Sequence, residues 1–511
     1  MGSKLPELEV RPSAAYGENE IQPTTIEQVL ATSKSGALCG NAGLVKLYAV
    51  LIPGVLFFSS AGGYGGSMLN GLQAIDEFKE FFHLSTAMTG FLNSCFWIGG
   101  ISSFPFSQIV ADKLGRKKGV FFGAILILIA AILQGAARDL AMFAIARMVL
   151  GFGYICSGTS AVVLVSELTH PHHRRAITGF YGGVYYIGAI TAAWVVFGSS
   201  QISSTYSWRI PSYLMGFYPL LNMLFLPFVP ESPRWLVAAG RVEEARSIIC
   251  KAHTNGDNDH PLVELQISEI VASIRKESEL SRKNAWIEFY TKRSNRKRLF
   301  LIAMIALSMN MSGISITAYY LTKVLEIVGI TETKTQTMIN GFLQIVSLVC
   351  CAIASWSSAW TKRRTQWLVS AVTMLVSFIA LTISSSVVLN DPDNKGAAVA
   401  VIFFVFLYTC GYDWALNALV HAYPVELLPY KIRTVGLSLQ NVISTLSGFF
   451  NVFVNPIALG AISWKYYIVY IIYQFVWLLI IFFFFPETAG HALEEVQARF
   501  LDDEVETCKS S

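Results

Sequence analysis

The chain alternates between long apolar runs and shorter polar segments along nearly its whole length. A helix that crosses a bilayer needs roughly 20 mostly apolar residues, and the sequence contains twelve runs of this kind. Each run predicts one membrane-spanning α-helix. The predicted spans are 47–69, 87–109, 119–136, 139–166, 176–198, 209–229, 299–322, 337–358, 366–389, 397–424, 434–458 and 464–486.

One polar segment, 230–298, is much longer than the others and divides the twelve runs into two sets of six. It contains two pieces with the spacing of amphipathic helices, VEEARSIICKA and LVELQISEIVASIRKES. We therefore predict an all-α membrane protein with two six-helix bundles. The predicted parts are an N-terminal tail at 1–46, a first bundle at 47–229, the connecting loop at 230–298, a second bundle at 299–486 and a C-terminal tail at 487–511.

Composition agrees with this picture and excludes several classes of protein. Of the 511 residues, 53% are hydrophobic and only 14% are charged, whereas soluble domains carry about 25% charged residues. A soluble enzyme is therefore excluded. A net charge of +4 gives no overall nucleic-acid footprint, and no GxxxxGK[ST] loop for ATP is present. The eight cysteines lack metal-ligand spacing, so we expect no metal or other cofactor.

Basic residues are concentrated in alternate loops, which predicts the orientation in the membrane. The connecting loop alone contains thirteen Lys and Arg residues. The same side carries four short basic loops, at 113–118, 174–175, 362–364 and 431–433. Because positively charged loops of membrane proteins remain cytoplasmic, we expect this side and both tails in the cytoplasm. The polar N-terminus predicts no cleavable signal peptide, and we expect the plasma membrane.

Short patterns occur in both halves of the chain at nearly the same offset. Glu167 and Arg174 are seven residues apart, and Glu426 and Arg433 repeat this spacing. The other matched pairs are 230–232 with 486–488 and 116–117 with 363–364. Parallel repeats of six helices are typical of transporters that hold their solute near the midplane between two halves. The repeat therefore favours a transporter.

Several longer motifs resemble those of the sugar porter family within the major facilitator superfamily, especially its fungal lactose-permease-like and hexose-transporter-like members. The resemblance covers about 44–498 and is most specific at PESPRW, residues 230–235, after the sixth run. It is also carried by DKLGRK at 112–117, Arg147 with Gly151 and Gly153, WRIP at 208–211, Tyr319-Tyr320, YPVE at 423–426, Arg433, Gly436 and PET at 486–488. It implies the major facilitator fold and a non-enzymatic, secondary transporter of a hexose, disaccharide or polyol that works by alternating access.

The resemblance also implies a role for a set of charged residues on the basic side. They should form salt bridges between the halves that are closed while the pocket faces outward. Such partly desolvated pairs at a sliding interface favour one state by a few kcal/mol. The second copy departs from the family pattern at Ala359 and Lys362, where Asp and Gly are usual. The set is Asp112, Arg116, Glu167, Arg174, Glu231, Arg234, Glu426 and Arg433.

The residues expected to face the solute depart further from the family pattern. Amides suit a polyhydroxylated ring because each offers a donor and an acceptor. Gly182, Met309 and Ser347 stand where the family usually has such amides, so we expect a roomier and less sugar-like pocket. The expected contacts with the solute are Asn310, Ser315, Tyr319, Tyr320, Asn340, Gln344, Ser347 and His421.

The proton site of the related symporters is also altered. In those proteins an acid in the first helix pairs with the residue equivalent to Arg147, whereas Gly65 stands at the acid position here. An unpaired guanidinium at membrane depth is costly, so Arg147 should find another partner. Asp413, Asn417 and His421 lie on one face of the predicted tenth helix. Arg147 and Asp413 are therefore the candidate coupling residues, and proton coupling stays open.

Two other functions remain open from the sequence. The scarcity of amides also fits a carrier of a specialised non-sugar metabolite, or of an organic acid that pairs with Arg147. A nutrient sensor that signals without transport is a third possibility, although the tail at 487–511 is short for that class. In each case the expected partners are a small-molecule solute and the lipid bilayer, without nucleic acid or ATP.

Overall fold

A computed structural model describes residues 41–279, 291–358, 360–391, 394–420 and 422–489, together with Ile287 and Phe289. Helices are the regular secondary structure throughout these residues. The first eight are α1 (Ala42–Leu72), α2 (Asp76–Phe81), α3 (Thr86–Ile109), α4 (Arg116–Gly135), α5 (Leu140–Leu168), α6 (Pro171–Ser199), α7 (Tyr206–Leu214) and α8 (Phe217–Phe225).

Three helices of the connecting loop follow, and the remaining helices form the second half. The loop helices are α9 (Pro233–Ala238), α10 (Val242–His253) and α11 (Pro261–Glu279). The second half contains α12 (Arg293–Met311), α13 (Ile314–Tyr319), α14 (Leu321–Ile327), α15 (Thr333–Ser357), α16 (Arg363–Asn390), α17 (Lys395–Tyr412), α18 (Ala422–Leu427), α19 (Tyr430–Ile462) and α20 (Tyr467–Phe484). A π-helical segment, Asp413–Asn417, continues α17.

Every predicted span coincides with helical structure. Nine stretches of the described residues are long and apolar enough to cross a membrane, and one of them, Val435–Phe484, combines the predicted eleventh and twelfth spans. The second span is the helix α3, and the sixth consists of α7 and α8, nine residues each, with a break at Met215–Gly216. These two lie outside the count of nine, although both are helical.

Polar residues in the sequence fix the starts of several long helices. The side chains of Asn41, Ser85, Asp139 and Asn394 each accept a hydrogen bond from a backbone N–H in the first turn that follows. These N–H groups have no partner within the helix, so the caps satisfy them.

Two separate hydrophobic cores define two bundles. The first extends from Leu51 to Val229 and the second from Leu301 to Phe485. In the N-terminal bundle α1 packs on α6, and α5 packs on α3 and α4; in the C-terminal bundle α12 packs on α19, and α16 packs on α17 and α20. The bundles meet where α3 contacts α19 and where α6 contacts α15. The predicted all-α fold with two six-helix bundles is confirmed.

The helices of the connecting loop pack together and against the N-terminal bundle. Their shared core includes Leu236, Ile249 and Ile267. The Asn41 amide donates to the His253 carbonyl oxygen at 2.9 Å, which joins α10 to the start of α1. We call the face with these helices and the α3–α4 and α5–α6 turns the basic face. The face that carries α2 is the opposite face.

Candidate functional site

A cluster of charged residues holds the α3–α4 turn on the basic face. Gly115 precedes α4 with a φ of +96°, a conformation that favours glycine. The Arg116 guanidinium donates to the Ala111 carbonyl oxygen at 3.1 Å and lies 3.9 Å from Glu167 Oε2. Glu231 Oε1 accepts a hydrogen bond from the backbone N–H of Lys117 at 3.0 Å. A carboxylate therefore lies at the N-terminus of α4, where the helix dipole stabilises it.

The C-terminal bundle repeats this arrangement at the α15–α16 turn. Arg363 donates to the Ser358 carbonyl oxygen at 2.7 Å and lies 3.3 Å from Glu426 Oε1. Glu487 Oε1 accepts from the backbone N–H of Arg363 at 2.8 Å. Thr488 donates to Glu426 at 2.5 Å, as Ser232 donates to Glu167 in the first bundle. The sequence repeat therefore corresponds to a repeated charged cluster, although Ala359 lies outside the described residues.

The described ion pairs of the predicted charged set join residues of one bundle, not residues of opposite bundles. Asp112 lies 3.8 Å from Arg116, and Arg174 and Arg234 lie within electrostatic range of Glu167. Arg433 donates to the Leu428 carbonyl oxygen at 3.3 Å. The closing of these residues across the bundles therefore remains a prediction for another conformation.

On the opposite face, hydrogen bonds join the two bundles. The Asn70 amide donates to Asn340 Oδ1 at 3.3 Å, and the Asn340 amide reaches Ser67 Oγ at 3.4 Å. Gln73 Nε2 donates to the Tyr319 carbonyl oxygen at 3.0 Å. These contacts close the opposite face between α1 of the first bundle and α13 and α15 of the second. Asn340, which was predicted to contact the solute, therefore takes part in this closure. Gln344, another predicted contact, supports it by donating a hydrogen bond to Asn340 Oδ1 at 3.2 Å.

Arg147 finds a backbone partner in the interior of the N-terminal bundle. Its side chain is 1% exposed, and Nη1 donates to the Gly65 carbonyl oxygen at 2.9 Å. The guanidinium also lies 5.8 Å from the centre of the Phe96 ring. A Cβ atom built on Gly65 would lie 3.9 Å from Arg147 Nη1. The position that carries the acid in related symporters therefore faces the guanidinium, and the backbone at this position replaces the acid as its partner.

Aromatic side chains from both bundles converge near Arg147. Each polar group lies within electrostatic range of at least one other member, and the rings are half-buried. Gly66 of α1 allows Tyr185 to approach, since a Cβ atom there would lie 2.8 Å from its hydroxyl oxygen. We call this group the central aromatic cluster; it consists of Trp97, Tyr154, Tyr181 and Tyr185 of the N-terminal bundle and Tyr319 and Tyr412 of the C-terminal bundle.

An amide from the second bundle compensates for the glycine at position 182. A Cβ atom built on Gly182 would lie 3.3 Å from Asn417 Oδ1. The family usually has an amide on the fifth helix at this position, whereas here the space beside α6 is occupied by the Asn417 amide of the tenth span. Asn417 and Asp413 also bond to Tyr186 of α6, at 3.1 Å and 2.5 Å.

The remaining predicted solute contacts are buried or lie outside the described residues. Tyr320 is 0% exposed in the second core, and its hydroxyl donates to the Val452 carbonyl oxygen at 2.6 Å, so a contact between Tyr320 and the solute stays a prediction. The Asn310 amide nitrogen donates to the Ser444 carbonyl oxygen at 2.8 Å. Ser315 and Ser347 are also buried, and His421 lies outside the described residues.

A group of histidines joins the connecting loop to the α5–α6 turn. His253 Nε2 lies 3.1 Å from the Leu168 carbonyl oxygen, and its ring centre lies 5.1 Å from that of His170. Burial, together with the neighbouring His253, lowers the pKa of His170 to about 3. Burial also lowers the pKa of His253. Within the described residues no cluster of three His, Cys, Asp or Glu side chains is arranged to hold a metal ion.

Sequence reasoning identified only Tyr319 among the six members of the central aromatic cluster. Tyr181 and Tyr185 are four residues apart and so share one face of α6. This spacing is the sequence feature that could have identified them as members of the cluster. A single helix does not show which of its faces points to the seam between bundles. The packing of α6 on α1 and α15 provides that information.

Comparisons with known proteins agree with this geometry. The family described as "Sugar (and other) transporter" matches residues 48–500. The MFS-type transporter criB of Aspergillus cristatus is 26% identical over 452 residues, which cover 88% of this chain and 92% of that protein. The sugar transporter STL1 of Saccharomyces cerevisiae is 25% identical over 474 residues, which cover 90% of this chain and 82% of that protein.

The fold also matches a solved structure. The inward-open xylose transporter XylE from E. coli aligns with a TM-score of 0.72 at 18% sequence identity, covering 88% of this chain and 99% of XylE. The family match extends over nearly the whole chain and over both bundles described above. This chain is therefore a member of the sugar (and other) transporter family, within the major facilitator superfamily, and the resemblance in its motifs is confirmed.

Proposed function

We propose that this protein is a secondary transporter of a small carbohydrate-like solute, such as a hexose, a disaccharide or a polyol. The family supports a transporter, and the relative STL1 is named a sugar transporter. XylE, which shares the fold, is named a proton:xylose symporter and was solved with a bromodeoxyglucose bound. Transport would proceed by alternating access between the two bundles.

The central aromatic cluster is the observation that carries this proposal. Aromatic faces pack against the apolar faces of sugar rings, and tyrosine hydroxyls both donate and accept hydrogen bonds. Asn417 adds an amide from the second bundle beside Gly182. The solute would therefore contact both bundles at once, which is what a transporter needs to link binding to their relative movement.

The arrangement of contacts supports access from the basic face in this conformation. The bundles are joined on the opposite face by the Asn70–Asn340 and Gln73–Tyr319 hydrogen bonds. The described charged clusters of the basic face are each contained within one bundle. We place the basic face and both tails in the cytoplasm because of the charge asymmetry, and the protein in the plasma membrane.

An organic acid as substrate is less well supported. That alternative required Arg147 to present its charge to the solute. The guanidinium is instead 1% exposed and donates to the Gly65 carbonyl oxygen. A neutral, hydroxylated solute does not need that charge.

An uptake screen with the purified chain in proteoliposomes tests the proposed function. Labelled hexoses, disaccharides, polyols and organic acids are offered at equal concentrations, and saturable uptake is compared with protein-free liposomes. We expect at least one neutral carbohydrate to enter and the organic acids to stay out. Uptake confined to organic acids would overturn the proposal.

A further inference from the structure

Asp413 is a buried carboxyl group at the seam between the two bundles. Its side chain is 0% exposed and belongs to the π-helical segment that follows α17. Asp413 Oδ1 accepts a hydrogen bond from the Tyr186 hydroxyl of α6 at 2.5 Å and from Asn417 Nδ2 at 3.1 Å. Asn417 Nδ2 also donates to the Tyr186 oxygen at 3.1 Å. The three side chains therefore form one hydrogen-bonded link between the bundles.

The groups that face Asp413 are hydroxyls, thiols and amides. Gln366 and Ser370 of α16 bond to the backbone of Trp414 and Gly411 and bring no titratable group. None of the described ion pairs involves Asp413. The titratable or polar side chains near it are Tyr186 from α6, Ser347, Cys350 and Cys351 from α15, and Tyr408, Cys410 and Tyr412 from α17.

The second carboxyl oxygen of this residue, Asp413 Oδ2, is buried, and the described hydrogen bonds to this carboxyl group from Tyr186 and Asn417 are both made at Oδ1, with the Ser347 hydroxyl close by. An ionised carboxylate in such a place is costly, because burial removes it from bulk solvent and none of the described ion pairs supplies a cation to offset its charge. A protonated carboxyl group removes that cost and still accepts the bonds from Tyr186 and Asn417 at Oδ1. The closed link therefore suits the neutral acid.

We propose that Asp413 is a proton-binding site that makes the contact between the bundles depend on proton uptake. The proposal rests on the proposed transport function, since it uses the separation of the bundles during alternating access. While Tyr186 contacts Asp413, the carboxyl group holds its proton. When α6 and the segment after α17 separate, water reaches the carboxyl group and takes the proton as hydronium, and a carboxylate remains. Before the next closure a hydronium ion returns a proton to the carboxylate and leaves as water, which restores the acid.

This site differs from the first-helix site of the related symporters. Gly65 has nothing to titrate, and Arg147 is already bonded to its carbonyl oxygen. Asp413 lies on the other bundle and faces α6 rather than α5. A proton bound there acts on the link between bundles and not on the Arg147 guanidinium.

Equilibrium exchange of a transported carbohydrate, with equal pH on both sides of the proteoliposome membrane, tests the proposal. From about pH 5 to about pH 8 we expect the exchange rate of the unmodified protein to change several-fold. Asp413→Asn is neutral and of the same shape, so its exchange rate should lose most of this dependence on pH. Tyr467→Phe is the matched control, because it removes from the second bundle a buried hydroxyl that has no hydrogen-bond partner in the described part of the chain, and it should keep the normal profile. An unchanged pH profile in Asp413→Asn would overturn the proposal.

A second measurement separates this proposal from the proposed function. Infrared difference spectra of the full chain in lipid nanodiscs, recorded after a change of pH, report the C=O stretch of a protonated carboxyl group directly. We expect a band that is absent in Asp413→Asn and shifted in Tyr186→Phe, which removes only the hydrogen bond. If Asp413→Asn does not assemble, an unshifted band in Tyr186→Phe overturns the proposal. A band that behaves as expected in a protein that exchanges no carbohydrate would instead contradict the proposed function.

Discussion

Single polar side chains in this protein satisfy backbone groups that the helices leave without a partner. Pro456 in α19 has no N–H, so the carbonyl oxygen of Val452, four residues earlier, has no helical donor. The Tyr320 hydroxyl supplies one at 2.6 Å. Arg147 similarly directs its charge to the Gly65 carbonyl oxygen. These contacts fix side chains that the family pattern would assign to the solute or to coupling.

Replacement by phenylalanine distinguishes the structural role of Tyr320 from the solute-binding role of Tyr185. Tyr320→Phe should lower the free energy of unfolding by about 1–3 kcal/mol, because the buried Val452 carbonyl oxygen loses its donor, and should leave the half-saturation concentration unchanged. Tyr185→Phe, in the central aromatic cluster, should raise that concentration about tenfold with little effect on stability. Thermal unfolding and uptake kinetics measure the two effects. The opposite pattern would mean that Tyr320, and not Tyr185, contacts the solute.

Gly65→Asp should give Arg147 an ionised partner. The Cβ atom at this position would lie 3.9 Å from Arg147 Nη1 and 3.1 Å from Leu150 Cδ2, so Leu150 must move by a few tenths of an ångström. We expect solute uptake to acquire a new dependence on pH, because the added carboxylate titrates beside the guanidinium. Gly65→Asn, which has the same shape and no charge, is the control. If the two variants have the same pH profile, the side chain at position 65 does not pair with Arg147.

The residues of the site were only partly predictable from the sequence. Charged motifs with a fixed spacing, such as Glu167 and Glu426, could be placed because their repeat is independent of helix orientation. Tyr319 and Tyr320 are adjacent and point in different directions, so the motif could not separate a cluster residue from a core residue. The orientation of these two side chains depends on the helix break at Gly313 and on the free carbonyl oxygen that Pro456 leaves in α19. Both act on Tyr319 and Tyr320 only once α13 packs on α19.

At the scale of elements, polar contacts through His253 help to hold the helices of the connecting loop against the N-terminal bundle. His253 is 3% exposed, and Nδ1 lies 3.0 Å from the Gln266 amide oxygen while Nε2 faces the Leu168 carbonyl oxygen. His170 lies beside it at the α5–α6 turn. The amphipathic pieces of the connecting loop predicted its helices. The place where these helices dock could not be predicted, because it depends on contacts of these histidine side chains.

Acid should loosen this docking. The pKa of His170 in the docked state is about 3, and that of His253 is also lowered, whereas free histidine has a pKa of about 6.5. The undocked state therefore binds protons first as the pH falls below about 6.5, and the stabilisation is lost progressively from there toward about 3. We expect amide hydrogen exchange in α10 to accelerate on the order of tenfold between about pH 7.5 and about pH 5, after correction for the intrinsic rate.

Two variants check this assignment. His170→Gln should remove part of the pH dependence, because glutamine does not titrate. His260→Gln, on the loop that precedes α11, should keep it. Equal exchange at both pH values in the unmodified protein would show that these histidines do not control the docking.

At the scale of the whole molecule, the two bundles carry matching charged clusters on the same face. Arg116, Glu167 and Glu231 correspond in their contacts to Arg363, Glu426 and Glu487. The bundle division and the repeat followed from the sequence, because both depend on apolar runs and spacing. The conformation that the bundles adopt could not be predicted from the sequence, because it depends on contacts between spans such as Asn70–Asn340.

Substitutions in the matching clusters should affect rate more than binding. Glu426→Gln removes the carboxylate that faces Arg363 and Thr488, and Glu167→Gln is its counterpart. We expect each to lower the transport rate about tenfold or more, with little change in the solute dissociation constant, because the clusters organise helix ends that must move. Glu264→Gln, at an exposed ion pair with Arg246 on the connecting loop, is the control. Equal losses of rate and binding would contradict a role in conformational change.

The central claim is that the two bundles carry a carbohydrate across the membrane by alternating access, and counterflow tests it most directly. Proteoliposomes are loaded with an unlabelled carbohydrate from the uptake screen, and a trace of the labelled form is added outside. A carrier that alternates between faces should accumulate the label transiently above its equilibrium level, and excess unlabelled solute outside should abolish the overshoot. A protein that binds the carbohydrate saturably but shows no overshoot would contradict the account.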